Sequence, residues 1–205
     1  MKTLTKWKVL APLSLAAAGA AALGVVTLLK KISPTEDAVK TAAPSRTAAP
    51  ANLKTGSYSF ISGYKDAVTL DVSLDYDADK YSFAVIEEDF PSYTSDSHVA
   101  VLSGEDFRFQ LEYAGYYLGE GFEDLIRHVS EKYQGFAPVA YGTNTGVSYT
   151  AGDNVCLCFP AGEDPYSYLL VTLFKSSGWD GTVSDLLEHE DFAAVMSNMR
   201  VAVHS

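Results

Sequence analysis

Alternating apolar and polar residues are the main pattern of the chain beyond residue 55, and they are typical of strands with one buried face. At residues 68–76 every second residue is apolar, and residues 107–113 repeat the pattern. Residues 81–86 are more continuously apolar, which predicts a more deeply buried strand. Gly, Asn and Asp at the breaks favour antiparallel connections. Further strands are predicted at residues 57–61, 98–102, 139–142, 147–150, 155–159 and 168–174.

Two helical segments interrupt the predicted strands. Gly135 is predicted to end the first helix, and the second begins at Thr182, where Asp185 completes a capping-box pattern. The second segment continues beyond His189 with apolar residues at helical spacing. The prediction is an α+β fold in which one mainly antiparallel sheet carries two flanking helical segments. The first helix is amphipathic, with its apolar positions at Phe122, Leu125, Ile126, Val129 and Tyr133.

An uncharged, apolar run at residues 9–29 precedes the predicted strands. As a helix rising about 1.5 Å per residue, it would span the hydrocarbon core of a bilayer. Three lysines precede the run and two follow it, which favours a transmembrane signal-anchor with its amino terminus in the cytoplasm. A cleaved signal peptide is the alternative, because the alanines at 20–22 match a small-residue cleavage site. In that case the protein is secreted.

Composition divides the chain into four parts. Residues 1–8 are a basic amino terminus, 9–29 the predicted transmembrane helix, 30–54 a tether rich in Ala, Pro and Thr, and 55–205 the α+β domain. The tether contains no aromatic residue and has too little apolar surface to offset the entropy cost of ordering. The expected location is the cytoplasmic membrane, crossed once, with the carboxyl-terminal domain outside.

Charge restricts the partners of that domain. Residues 55–205 contain seven basic residues against 24 acidic ones, a net charge of −17. Such a domain repels phosphate backbones and anionic lipid headgroups, so nucleic acid is not an expected partner. The predicted contact with the membrane is made through the amino-terminal helix alone.

The order of predicted elements resembles the PsbP-like α/β/α sandwich, a fold named for a photosystem extrinsic subunit. The resemblance rests on an early amphipathic strand, the helix at 122–133, a meander of strands, the strand at 168–174 and a closing segment at 191–200. It covers most of residues 56–203. It implies an antiparallel sheet flanked by helices and a scaffold used mostly for protein contacts, and it carries over no catalytic residue.

Two groups of side chains have the chemistry of metal ligands. Asp75, Asp77 and Asp79 supply carboxylates at positions 1, 3 and 5 of a calcium-loop pattern. Position 6 is lysine instead of glycine, however, and an acidic hairpin turn explains the three residues without an ion. Cys156 and Cys158 share one face of a predicted strand, but no further ligands complete a zinc site. We interpret them as small buried residues, and no cofactor is predicted.

Catalytic chemistry has one weak candidate. His189 lies between Glu188 and Glu190 and two residues before Asp191, so it could act as a general base beside carboxylates or as a ligand. The alternative is a solvated junction between helices. No nucleophile elbow, zinc-binding His pair or phosphate loop is present in the sequence. The first hypothesis is therefore a non-enzymatic binding module, and the second is an envelope hydrolase or metal-dependent enzyme that uses acidic residues.

Aromatic residues give the candidate binding surface. Tyr116 and Tyr117 are bracketed by glycines after a strand whose core face is already filled, so at least one of them is expected to leave the core. Trp179 lies near the late strand. Such side chains are favoured at recognition surfaces, and the expected partner is an envelope protein or a glycan.

We predict that Tyr116→Ala or Tyr117→Ala weakens partner binding by more than about 1 kcal/mol, as expected of an interface hot spot. An exposed tyrosine contributes little to the core, so the free energy of unfolding should change little. Binding titrations and thermal melts of the two variants test this. Loss of the folded state in both variants would place the pair in the core.

Overall fold

The computed structural model describes residues 40–41, 52–61, 69–87, 98–114, 121–162 and 167–204. All of them belong to one compact unit, residues 35–205. The basic amino terminus, the predicted transmembrane helix with its alternative cleavage site and most of the tether lie outside the described residues.

Eleven strands, two α-helices and one 3₁₀ helix make up the described part of the unit. Helix α1 is Phe122–Lys132, the 3₁₀ helix is Val183–Glu188, and helix α2 is Glu190–Asn198. The strands are β1 Lys40–Thr41, β2 Leu53–Ile61, β3 Thr69–Asp77, β4 Ser82–Glu87, β5 His98–Ser103, β6 Phe107–Tyr113, β7 Gln134–Tyr141, β8 Asn144–Ala151, β9 Asn154–Pro160, β10 Tyr168–Lys175 and β11 Arg200–His204.

The strands form two sheets, so the prediction of a single sheet is wrong. The large sheet has eight strands in the order β1-β7-β8-β9-β10-β6-β5-β4, and the small sheet has the order β11-β3-β2. Only β1 and β7 are parallel among the described pairs. The class is therefore α+β with mainly antiparallel sheet, as predicted.

The core lies between the small sheet and one face of the large sheet. Alternation in β3 is confirmed, because Leu70, Val72 and Leu74 are buried while the residues between them are partly exposed. Helix α2 inserts Phe192 into the same layer, where its ring meets the rings of Phe107 and Phe109 edge-on, with centroids 5.7 and 5.9 Å away. This aromatic contact joins α2 to the centre of the large sheet.

The opposite face of the large sheet carries helix α1. Phe122 of α1 contacts the ring of Tyr168 on β10 at a centroid distance of 6.0 Å. Strand β6 is buried on both faces, and its polar residues Gln110 and Glu112 are each only 6% exposed. The alternation in β6 predicted one solvated face, and that part of the prediction is wrong because β6 lies inside the sheet, between β10 and β5, and both of its faces are covered.

Three further predictions need correction. Strand β4 is the exposed end strand of the large sheet, although its apolar sequence predicted deep burial. Helix α1 ends at Lys132, and Gly135 instead adopts φ 66° inside β7, where the register with β8 shifts. The turn after Asp77 connects strands of two different sheets, so it is not a hairpin. Strand β11 was not predicted.

Candidate functional site

Four segments far apart in the sequence meet around His189. They are the β3–β4 connection, the β5–β6 turn, the loop after β10 and the junction between the 3₁₀ helix and α2. We call this cluster the His189 junction. It comprises Tyr81, Asp106, Trp179, His189 and Asp191.

Local hydrogen bonds fix the position of His189. The predicted capping box is confirmed, since the Thr182 hydroxyl accepts from the Asp185 backbone N–H and the Asp185 carboxylate accepts from the Thr182 backbone N–H. The 3₁₀ helix ends when the His189 N–H donates to the Leu186 carbonyl. Helix α2 begins at once, because the His189 carbonyl accepts from the Ala193 N–H. His189 is therefore the corner between two helices.

The imidazole of His189 is held between two aromatic rings and a carboxylate. Its ring meets Phe107 and Trp179 edge-on, at centroid distances of 5.5 and 5.3 Å. Its Nε2 lies 3.5 Å from Oδ2 of Asp106. Its Nδ1 is buried without a hydrogen-bond partner among the described residues. Nε2 therefore faces a carboxylate, and Nδ1 is enclosed by the protein.

Asp191 links the β3–β4 connection to helix α2. Its Oδ2 accepts hydrogen bonds from Lys80 Nζ at 2.8 Å and from the Tyr81 hydroxyl at 3.0 Å. Burial raises the pKa of Asp191, but hydrogen bonds from Lys80 and Tyr81 outweigh it and the net pKa lies below the usual carboxyl value. The hydrogen bond to Asp191 raises the pKa of Lys80. Asp191 is therefore ionised and links two elements of the fold. Its negative charge is also favourable in the first turn of α2.

Trp179, predicted as a binding residue, is half-buried and takes part in internal packing. Its Nε1 donates to the Thr182 carbonyl at 3.0 Å. Gly181 packs so closely beneath the indole that an added Cβ would lie 2.7 Å from Nε1. The structure thus brings Trp179 and His189 together, which sequence spacing did not predict.

The three aspartates predicted as weak metal ligands face different partners. Asp75 Oδ1 accepts from the Thr55 hydroxyl at 2.6 Å and lies 3.2 Å from Arg200 Nη2, and these contacts lower its pKa, Thr55 most. Asp77 accepts from the Asp79 backbone N–H, and Asp79 accepts from the side chain of Asn52. Within the described ranges, no three His, Cys, Asp or Glu residues are grouped to hold a metal ion.

Cys156 and Cys158 are both free and buried on β9. Burial raises the pKa of both thiols, and the Tyr149 hydroxyl contacts both sulfurs. Both thiols therefore remain protonated and serve as buried side chains of β9. Small buried side chains are what their sequence environment predicted.

Tyr116 and Tyr117 lie outside the described residues, so the predicted surface they form stays a prediction. The neighbouring Tyr113 is buried, and its hydroxyl is 2.9 Å from Ser167 Oγ. This agrees with the prediction that the core face of β6 is filled. Asp106, Tyr81 and Lys80 were not identified from the sequence, because their partners lie far away along the chain. The partner of Lys80, for example, is 111 positions away.

Comparisons with protein-family models, with curated proteins and with solved structures found no match to this chain. In the part of the chain that the structure describes, no helix is both long and apolar enough to cross a membrane.

We predict that Asp191→Asn lowers the free energy of unfolding by about 1 kcal/mol at pH 7, the usual size of such a contact. Because the folded-state pKa is depressed, the contribution is present above the unfolded carboxyl pKa and is lost as pH falls through the folded value. Denaturant melts from pH 7 to pH 3 should therefore show the difference from wild type shrinking in acid. Asp180→Asn, which changes an exposed aspartate in the same way, is the matched control. A pH-independent difference would contradict this account.

Proposed function

We propose that this chain is a membrane-anchored, extracytoplasmic binding module without catalytic activity. Its domain 55–205 stands outside the cytoplasmic membrane on the tether 30–54, with residues 9–29 as the anchor. The PsbP-like resemblance fits this proposal, because it implies a scaffold for protein contacts.

One observation carries the proposal. The side chains that suited catalysis or metal binding are bound to other protein groups at links between elements. Asp191 holds Lys80 and Tyr81, and Asp75 holds Thr55 and Arg200. His189 Nε2 lies beside the Asp106 carboxylate, and its Nδ1 is enclosed. These groups are engaged in links between elements, and binding by other surfaces is the function they leave open.

Charge narrows the class of partner. With seven basic and 24 acidic residues in 55–205, long-range attraction favours basic or neutral partners. An envelope protein with a basic surface or a neutral glycan meets this condition, whereas nucleic acid does not.

A hydrolase or metal-dependent enzyme is the second candidate, favoured by the 3.5 Å approach of His189 Nε2 to Asp106 Oδ2. It ranks below the binding module because the imidazole is enclosed. A metal ion that served this enzyme would bind the folded state and raise its stability.

We predict that neither calcium nor zinc raises the melting temperature of the purified full-length protein. A site loaded at 100 times its dissociation constant would stabilise the fold by about 2.7 kcal/mol, a readily measured shift. Thermal melts with each metal, and with EDTA as the control, make the measurement. A rise abolished by Asp79→Asn or His189→Gln would establish the metal-dependent alternative.

We also predict that protease added to intact cells removes domain 55–205 while a cytoplasmic protein stays whole. The physical reason is the lysine bias, which keeps the amino terminus inside. Immunoblotting before and after membrane disruption is the measurement. Protection of the domain until disruption would reverse the orientation, and a mature protein beginning near residue 23 would indicate secretion.

A further inference from the structure

Exposed aliphatic side chains are concentrated at the ends of the two sheets. Among the described residues the large exposed hydrophobics are Leu53 and Ile61 of β2 and Val85 and Ile86 of β4. Strand β2 ends the small sheet and β4 ends the large sheet. The two on β2 stand at opposite ends of a nine-residue strand, whereas Val85 and Ile86 are adjacent. Among the described residues, β4 therefore carries two large exposed aliphatic side chains that are adjacent in the sequence.

The edge of β4 that faces β5 is regular and fully paired. Its residues pair with β5 in unbroken antiparallel register, from Ser82 opposite Ser103 to Glu87 opposite His98. As an end strand, it directs half of its backbone N–H and C=O groups away from β5. End strands are usually protected by proline, lysine or a bulge, and β4 has none of these. Among the described residues no strand pairs with its other edge, which is therefore a regular template for another strand.

Burial changes abruptly between β5 and β4. Residues Val99 to Leu102 of β5 are all buried, whereas five of the six residues of β4 are exposed. Since adjacent residues point to opposite faces, Val85 and Ile86 expose apolar surface on both faces of the sheet. An added strand would cover both at once.

Strand β4 is nevertheless held firmly in place. Phe83 stacks on Tyr76 of β3 at a centroid distance of 6.3 Å. Its ring also covers Gly56 of β2 so closely that any side chain at position 56 would overlap it. The edge is therefore preorganised, which lowers the entropy cost of binding.

Acidic residues stand at both ends of this edge. Asp77 and Asp79 precede β4, and Glu87 ends it exposed. Lys80, the nearby cation, is engaged by Asp191. In the described residues the edge thus offers an aliphatic centre, residues 84–86, between Asp77 and Asp79 at one end and Glu87 at the other.

This charge pattern favours one class of binding partner over another. A second copy pairing antiparallel through β4 would set Glu87 of one chain against the Asp77 and Asp79 turn of the other, acid against acid. It would also bring together two domains of net charge −17. A strand with basic ends avoids both penalties.

We propose that β4 binds by strand addition an extended segment of a basic partner protein, with aliphatic or β-branched residues at its centre and Lys or Arg at both ends. This inference rests on the proposed binding function and deepens it by naming the surface and the partner class.

The test uses the full-length protein in detergent micelles and a fluorescent peptide. The peptide carries two lysines at each end and alternating valine and threonine between them. We expect saturable binding by anisotropy, and added hydrogen-exchange protection confined to residues 82–87. Val85→Lys should weaken binding at least tenfold, because it places a charge at the aliphatic centre. A peptide with glutamates in place of lysines should bind at least tenfold more weakly than the lysine peptide.

Matched variants distinguish strand addition at β4 from nonspecific electrostatic attraction. Leu53→Lys adds the same charge at an equally exposed aliphatic residue of β2 and should leave the affinity unchanged. Should Val85→Lys lower the melting temperature, Ile86→Lys on the opposite face replaces it and should give the same loss.

Three results would overturn the proposal. They are undiminished binding by Val85→Lys and Ile86→Lys, equal binding of the lysine and glutamate peptides, or self-association of the protein that Val85→Lys abolishes. The last would make a second copy the occupant. The binding-module function is judged separately by the metal melts, so failure at β4 leaves that function standing with a different surface.

Discussion

Packing of the small sheet and helix α2 against one face of the large sheet is the contact on which the rest of the structure depends. Phe192 of α2 meets Phe107 and Phe109 of β6, and Leu70 and Leu74 of β3 are wholly buried in the same layer. Each such side chain contributes about 1.5–3 kcal/mol through burial. Because α2 is fixed by this contact, its first residues are held where they can receive Lys80 and Tyr81. The polar links of the His189 junction therefore follow from an apolar interface.

The sequence predicted strand positions well because alternation reports burial directly. It predicted β3 and β6 through their periodicity, and the capping box at Thr182 through local chemistry. It failed for β4, because an apolar run signals burial only if another element covers it. At the end of a sheet nothing in the local pattern says whether such an element exists. The second sheet was missed for a related reason, since pairing of β3 with β11 joins residues 127 positions apart.

The candidate site illustrates the same limit. The sequence indicated a possible reactive site at His189 and Asp191 because several acidic residues stand close together there. Their partners Asp106, Lys80 and Tyr81 come from turns in which no sequence motif indicates a site. Proximity in sequence suggested a reactive cluster, but proximity in space made those groups mutual partners. Only the tertiary fold decides whether a carboxylate faces a substrate or a neighbouring strand.

The pairing of β11 with β3 also has a consequence for folding. Ser73 meets Arg200, and Leu70 meets Val203, across more than a hundred intervening residues. Strands β2 and β3 are neighbours along the chain, whereas the third strand of the small sheet follows only after α2. Closing such long loops is entropically slow, and domains rich in distant contacts fold slowly as a class. Until β11 is in place, the outer edge of β3 has no partner strand within the small sheet. A chain still under synthesis therefore exposes a strand edge that can pair with another chain, until residues 200–204 are available.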